Sequence, residues 1–264
     1  MREKRDEALM NNKSFDHKRI AEGYANRPWL HKSVMLQLQQ DLKVGGNFKN
    51  GLDVGCGAGL STKALKLLCN KVTGTDISKA MIEVCKELYE NPAYSFYVAG
   101  AEETKIPAEP YDIVTAAGVI NWVDKDKFLK NMNCVMASGG LLVIYDFRIT
   151  DRMVGSDAYT QWYQQEYLKN FPKPPRKENV WTQDNVGENF IIENQITYEM
   201  QYEFDRDSFI DFMMIQSNVN VQIETGKKAE AEIRKWMEEM LGPVFGGERR
   251  RLIFEGYSWY LRHI

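Results

Sequence analysis

The residues best suited to chemistry form a run of alternating glycines, Asp53-Val54-Gly55-Cys56-Gly57-Ala58-Gly59, which follows a short apolar stretch and leads into a helix-like one. Glycines at such a bend let the backbone take positive φ and come close to a ligand, although packing alone also selects glycine-rich turns between strand and helix. A second candidate, Asp76, ends the next apolar run, 76 − 55 = 21 residues past the first glycine. A carboxylate there can accept two hydrogen bonds from the vicinal hydroxyls of a ribose. It can also serve as a helix N-terminal acid beside Ser78. The third glycine comes one residue too early for the dinucleotide pattern G-x-G-x-x-G, which counts against a nicotinamide cofactor, and the absence of G-x-x-x-x-G-K-[ST] counts against a triphosphate.

These residues need a scaffold that brings the ends of two strands together. From residue 51 onward, short apolar runs alternate with helical stretches, the mark of strand-helix units in a parallel sheet. The pattern predicts strands at about 51–54, 71–76, 94–98, 111–117 and 141–147. Helices are expected at 60–69, at 79–89 after a Ser78 cap, and at 125–136. An earlier amphipathic helix over 31–41 should end at Gly45-Gly46 and pack beside this core. After Phe147 the periodicity changes. Residues 151–193 are rich in aromatics and carry Pro172, Pro174 and Pro175, which predicts a helix followed by an irregular crossing segment. Strict alternation over 196–204 predicts a half-exposed strand, followed by helices at 206–217 and 228–241 and a last strand at 252–261. The two late strands should pair antiparallel at one edge. The expected fold is α/β: a Rossmann-like, mostly parallel seven-stranded sheet flanked by helices, with an insertion after strand five. Residues 1–14 are too polar to bury much and read as a mobile lead. That leaves 15–264 as one domain with its core at 50–150 and a cap at about 151–193.

Composition bounds the partners. With 264 residues, 44% hydrophobic, the chain can bury one sizeable core. A formal net charge of −3 gives no long-range attraction for nucleic acid or anionic lipid, and no apolar run is long enough to span a bilayer. A small molecule is therefore the expected partner and the cytoplasm the expected location. Cys56, Cys69, Cys85 and Cys134 lack the spacings of a zinc site, and His17, His31 and His263 are scattered, so no metal is expected. Glu248-Arg249-Arg250-Arg251 is a short charged run before a strand, which reads as a solvated turn that discourages edge pairing.

Five further blocks accompany the glycine loop: Tyr24-Ala25-Asn26-Arg27-Pro28, Thr75-Asp76-Ile77-Ser78 with Met81, Ala101-Glu102, Tyr111-Asp112-Ile113-Val114, and Thr115-Ala116-Ala117 leading to Trp122. In this order they make the chain, from about Phe15 to Phe147, resemble the class I S-adenosylmethionine-dependent methyltransferases. The similarity is to the small-molecule branch of methyltransferase type 11 and trans-aconitate methyltransferase-like proteins. The resemblance implies S-adenosylmethionine as cofactor. Asp53, Gly55, Cys56 and Gly57 would surround its methionine part, Asp76 would take the ribose hydroxyls, and Ile77 and Met81 would line the adenine pocket. Ala101 and Glu102 would reach the adenine edge. Backbone groups near Ala117 and Gly118 would hold the amino group. Tyr24 and Arg27 are candidates to close over the carboxylate, since Arg suits bidentate carboxylate recognition.

The chain departs from relatives that carry His-Trp after strand four, because it has Asn121-Trp122, and Asn cannot act as a base near neutral pH. Candidates for the acceptor pocket are Asn121, Trp122, Tyr159, Trp162, Tyr163 and Trp181, with Phe212, Met213 and Ser217 from the late helix. An aromatic stripe at helical spacing is also what a core helix shows. The expected activity is methyl transfer to a small acceptor, a carboxylate or another oxygen or nitrogen nucleophile. The competing readings are a cofactor-binding regulatory module without turnover, a nicotinamide-dependent oxidoreductase, and an RNA methyltransferase.

Overall fold

The computed structural model describes residues 18–43, 48–104, 109–173 and 180–264. The expectations for the N-terminal lead, for the Gly45-Gly46 helix stop and for Pro174 and Pro175 fall outside these residues. Two helices, α1 (Lys18–Ala25) and α2 (His31–Leu42), precede β1 (Phe48–Val54). Then come α3 (Leu60–Leu65), β2 (Cys69–Asp76), α4 (Lys79–Leu88), β3 (Tyr94–Val98), β4 (Tyr111–Ala117), α5 (Lys125–Val135) and β5 (Met136–Met153). A further helix, α6 (Asp157–Gln161), continues through a π-helical turn (Trp162–Tyr167) into a last turn (Leu168–Asn170). The chain ends with α7 (Gln183–Val186), β6 (Phe190–Phe204), α8 (Arg206–Met214), α9 (Ser217–Glu224), α10 (Glu230–Phe245) and β7 (Arg250–His263).

The seven strands form one sheet in the order β3-β2-β1-β4-β5-β7-β6. The first five are parallel, and β7 runs antiparallel between β5 and β6. The order reverses between β1 and β4, and in open α/β sheets a ligand crevice opens at such a switch point, beyond the strands' carboxyl ends. Gly51 through Val54 and Ile113 through Ala116 are buried without alternation, as strands covered on both faces require. One face of the sheet packs Val34, Met35 and Leu38 of α2 against Ile113, Val143 and Tyr145, and the other packs Phe128 and Met132 of α5 against Leu52, Val114 and Ile144. Among the described residues no helix is long and apolar enough to cross a membrane.

Several boundaries differ from the periodicity. The first helix stops at Leu65 rather than 69, because Leu67 and Leu68 close tight turns on Ala64 and Leu65 and Cys69 already pairs with Phe48. β5 runs to Met153, well past 147, because β7 supplies hydrogen-bonding partners as far as Leu252. The helix expected over 206–217 is two helices, broken at Ile215 and Gln216. β6 begins at Phe190 instead of 196, so its pairing with β7 extends to His263.

Candidate functional site

β1 delivers the glycine loop to the switch point. Cys56 N donates to Thr75 O at the end of β2, and Gly59 N donates back to Cys56 O, which closes the bend before α3. Gly57 has φ +52°, and a Cβ built on it would meet only the Tyr24 ring, at 3.8 Å. By contrast, a Cβ on Gly59 would come within 2.5 Å of the Tyr89 ring. Gly57 therefore keeps space open beneath Tyr24, whereas Gly59 is needed for packing. Asp76 ties the two strands together: its Oδ2 accepts from Gly57 N at 2.9 Å and its Oδ1 from Ser78 N at 2.8 Å. Ser78 in turn caps α4 through Met81 N. Next to Asp76, Ile77 is 56% exposed, a large apolar side chain left uncovered beside a carboxylate.

Asp53 behaves otherwise than expected. Its carboxylate is fully buried and accepts from Ser61 Oγ (2.6 Å), Thr62 Oγ1 (2.7 Å) and Thr115 Oγ1 (2.7 Å). Burial pushes its pKa up to about 6, with the three hydroxyl donors pulling it down and the Asp76 charge raising it. The side chain thus braces the base of the loop instead of facing the crevice. Cys56 is buried too, its thiol pushed up by burial, and Cys85 Sγ lies 3.2 Å from Gly57 O.

Met81 is buried with Ile20, Ala21, Ala58 and Ile215, where it supports α1. Ala101 is buried below the surface, and Glu102 Oε1 accepts from Asp124 N at 2.7 Å, anchoring the turn before α5. Gly118, with φ +68°, follows β4 and donates to Tyr145 O; a Cβ on it would lie 3.4 Å from Asp146 Oδ1.

The segment between α1 and α2 lies over this crevice. The Arg27 guanidinium stacks on the Tyr24 ring at 3.5 Å and donates to Ile215 O at 3.2 Å. Its buried Nε has no partner among the described residues, and Arg27 makes no ion pair there. Trp29 Nε1 donates to Leu60 O, pinning the segment to the start of α3.

Of the acceptor-pocket candidates, Asn121 and Trp122 are exposed in a 3-10 turn just after β4, at the rim of the crevice. The structure does not bring Trp162, Tyr163 and Met213 to that rim. They are buried with Tyr159, Tyr167 and Phe209 in a core shared by α6, α8 and α10. The aromatic stripe belongs to a hydrophobic core that joins α6 to the late helices, and burial of such large rings holds these elements together. Trp181 is likewise buried, with Lys125 Nζ 4.4 Å above its ring.

Sequence reasoning did not single out His31, Tyr145 or Asp146. His31 opens α2, and its Nδ1 lies 2.8 Å from the buried Tyr145 hydroxyl in the middle of β5. No spacing rule links positions 114 residues apart; only the sheet brings them together.

Residues 52–144 match the family model described as a methyltransferase domain. The chain is 31% identical over 145 residues to a ubiquinone/menaquinone biosynthesis C-methyltransferase from Campylobacter jejuni, covering 52% of this chain and 56% of that protein. It is 33% identical over 135 residues to a malonyl-[acyl-carrier protein] O-methyltransferase from Ilyobacter polytropus, covering 49% of each. The chain thus spans about half the length of these curated relatives. A solved structure described as a candidate type II methyltransferase, from Anaeromyxobacter dehalogenans, superimposes with a TM-score of 0.64 over 88% of this chain and 95% of that one, at 20% identity. That likeness establishes the fold.

Proposed function

From the class I S-adenosylmethionine-dependent methyltransferase domain that this chain carries, we propose that it transfers a methyl group from S-adenosylmethionine to a small-molecule acceptor. The observation that carries this reading is the junction of loop and strand end, where the Asp76 carboxylate bonds Gly57 N beside the uncovered Ile77 at the switch point. The Asp76 carboxylate, which accepts from Gly57 N and Ser78 N, is the group that we assign to the ribose hydroxyls. Ile77 offers an apolar flank for adenine. Because Glu102 is engaged at Asp124, the backbone around Ala101 and Glu102 is the part left to read the adenine edge.

The amino-acid end would rest over Gly55 and Gly57, its ammonium toward the Ala117 and Gly118 backbone with Asp146 alongside. Arg27 fits its carboxylate: a stacked guanidinium with a buried, unpartnered Nε and no ion pair among the described residues is completed by an anion. S-adenosylmethionine supplies a methyl group on a positively charged sulfonium, which is its own leaving group. The chain's task is then to orient an acceptor in line and to exclude water. Tyr24 and Arg27 cover the site, and Asn121 and Trp122 border the acceptor side. The same reading has residues 15–264 acting as one domain, in the cytoplasm, on a small molecule and without nucleic acid. Titration calorimetry with S-adenosylhomocysteine tests it: binding in the micromolar range is expected, and no binding at submillimolar concentration overturns the assignment.

A further inference from the structure

His31 and Tyr145 form a polar pair with no part in the cofactor reading above. The Tyr145 hydroxyl is buried, and its hydrogen-bond partner is His31 Nδ1. A buried hydroxyl proton needs an acceptor. If His31 donated through Nδ1 instead, the Tyr145 proton would be stranded. The favourable arrangement has Tyr145 donating, which leaves His31 with its proton on Nε2. The ring is also fixed edge-on against Phe147, with centroids 4.9 Å apart. Its position is therefore set on two sides by β5, and its Nε2 has no partner among the described residues.

The surroundings say where that N–H sits. His31 follows Arg27 by four residues and Trp29 by two, and Trp29 is tied to Leu60 beside the glycine loop. Tyr145 precedes Asp146, which abuts Gly118. The free N–H thus lies level with the carboxyl end of β4, where Ala117 pairs with Tyr145, near Arg27 and next to the place proposed for the amino-acid end of the cofactor. We infer that His31 is a positioning residue for the methyl acceptor, its Nε2–H donating to an oxygen of an acceptor that enters already ionised.

Burial, and then the nearby Arg27 charge, push His31 down to about 3, so it stays neutral at physiological pH and is a poor proton acceptor. Asn121 cannot take a proton either. An acceptor oxyanion needs no base: its lone pair forms the O–CH3 bond while the S–CH3 bond breaks, and that electron pair remains on the sulfur as a neutral thioether. Carboxylates and acidic phenols or enols meet this requirement. The acceptor class rests on the cofactor assignment; the ring's tautomer and its ligand do not.

Protein labelled with 15N-histidine has three imidazoles, and His31 is assigned by the signal lost in His31→Gln. The expected spectrum at neutral pH shows a neutral ring protonated at Nε2, and Tyr145→Phe should scramble the tautomers. Benzoate and 4-nitrophenolate serve as probes, with and without S-adenosylhomocysteine. At least one should shift Nε2 selectively. Its affinity should fall about tenfold in His31→Leu, as for loss of a hydrogen bond to a charged group, and recover in His31→Gln, whose amide N–H replaces Nε2–H. S-adenosylhomocysteine affinity should be unchanged in both variants. The proposal is overturned by an Nδ1–H tautomer, by an Nε2 signal indifferent to both probes, or by loss of S-adenosylhomocysteine binding in His31→Gln. Failure of wild-type protein to bind S-adenosylhomocysteine, with the tautomer and probe shifts intact, would instead overturn only the cofactor assignment.

Discussion

Asp53→Asn distinguishes a bracing carboxylate from a ligand-binding one. In the fold, Asp53 has its pKa raised from 3.8 to about 6, chiefly by burial. The native state therefore holds the proton more tightly than the unfolded chain. The stability associated with this group is present at low pH and lost as pH rises through about 6. The full difference, a little over two pKa units, corresponds to roughly 3 kcal/mol, of which about 1.3 kcal/mol falls between about pH 5 and pH 7. Asparagine can satisfy the same box. Its carbonyl in place of Oδ2 keeps the bonds from Ser61 and Thr62, while its amide donates to Thr115 Oγ1, whose own proton turns to Leu52 O, 3.5 Å away. Urea unfolding of both proteins should show the variant gaining about 1.3 kcal/mol on wild type from about pH 5 to pH 7, since other titrating groups cancel in the difference. S-adenosylhomocysteine affinity should stay within about twofold of wild type, as no ligand contact is removed. Parallel pH curves would refute the buried, raised carboxylate. A loss of affinity beyond about tenfold would show that Asp53 touches the ligand after all.

Three other substitutions probe the same architecture. Asp76→Ala should weaken S-adenosylhomocysteine binding by about 1.5–3 kcal/mol in calorimetry, and wild-type affinity would refute the ribose assignment. Gly59→Ala places a Cβ 2.5 Å from the Tyr89 ring at φ +87°. It should lower stability by about 1–3 kcal/mol in denaturant unfolding, and an unchanged midpoint would contradict the close packing of the loop on α4. Trp162→Ala should cost about 3–5 kcal/mol of stability while leaving cofactor affinity intact. A stable variant with altered acceptor selectivity would return Trp162 to the pocket.

Much of the parallel half was legible in the sequence because its signals are local. The Gly55-Cys56-Gly57-Ala58-Gly59 bend, the Ser78 cap and the unbroken apolar runs of β1 and β4 each follow from conformational and burial rules that act over a few residues. Asp76 could be picked out by its distance from the loop, since one strand-helix-strand unit has a characteristic length. The orientation of Asp53 was not legible: an acidic residue before such a loop reads the same whether it faces a ligand or three hydroxyls, and one of those, Thr115, comes from β4. The aromatic stripe was ambiguous for a related reason. Helical spacing shows that Tyr159, Trp162 and Tyr163 share a face but not what covers it, and the cover is Phe209 and Trp236, well over forty residues later.

The sequence by itself determined the strand-helix alternation, the glycine bend and the carboxylate one strand over, because each depends on backbone geometry and neighbouring residues. Only the tertiary structure decided which polar groups meet: Arg27 over Tyr24, Glu102 on Asp124, His31 on Tyr145. Such pairings arise when the sheet's order and twist bring distant strand ends to a common edge, where burial makes every unmatched donor or acceptor costly.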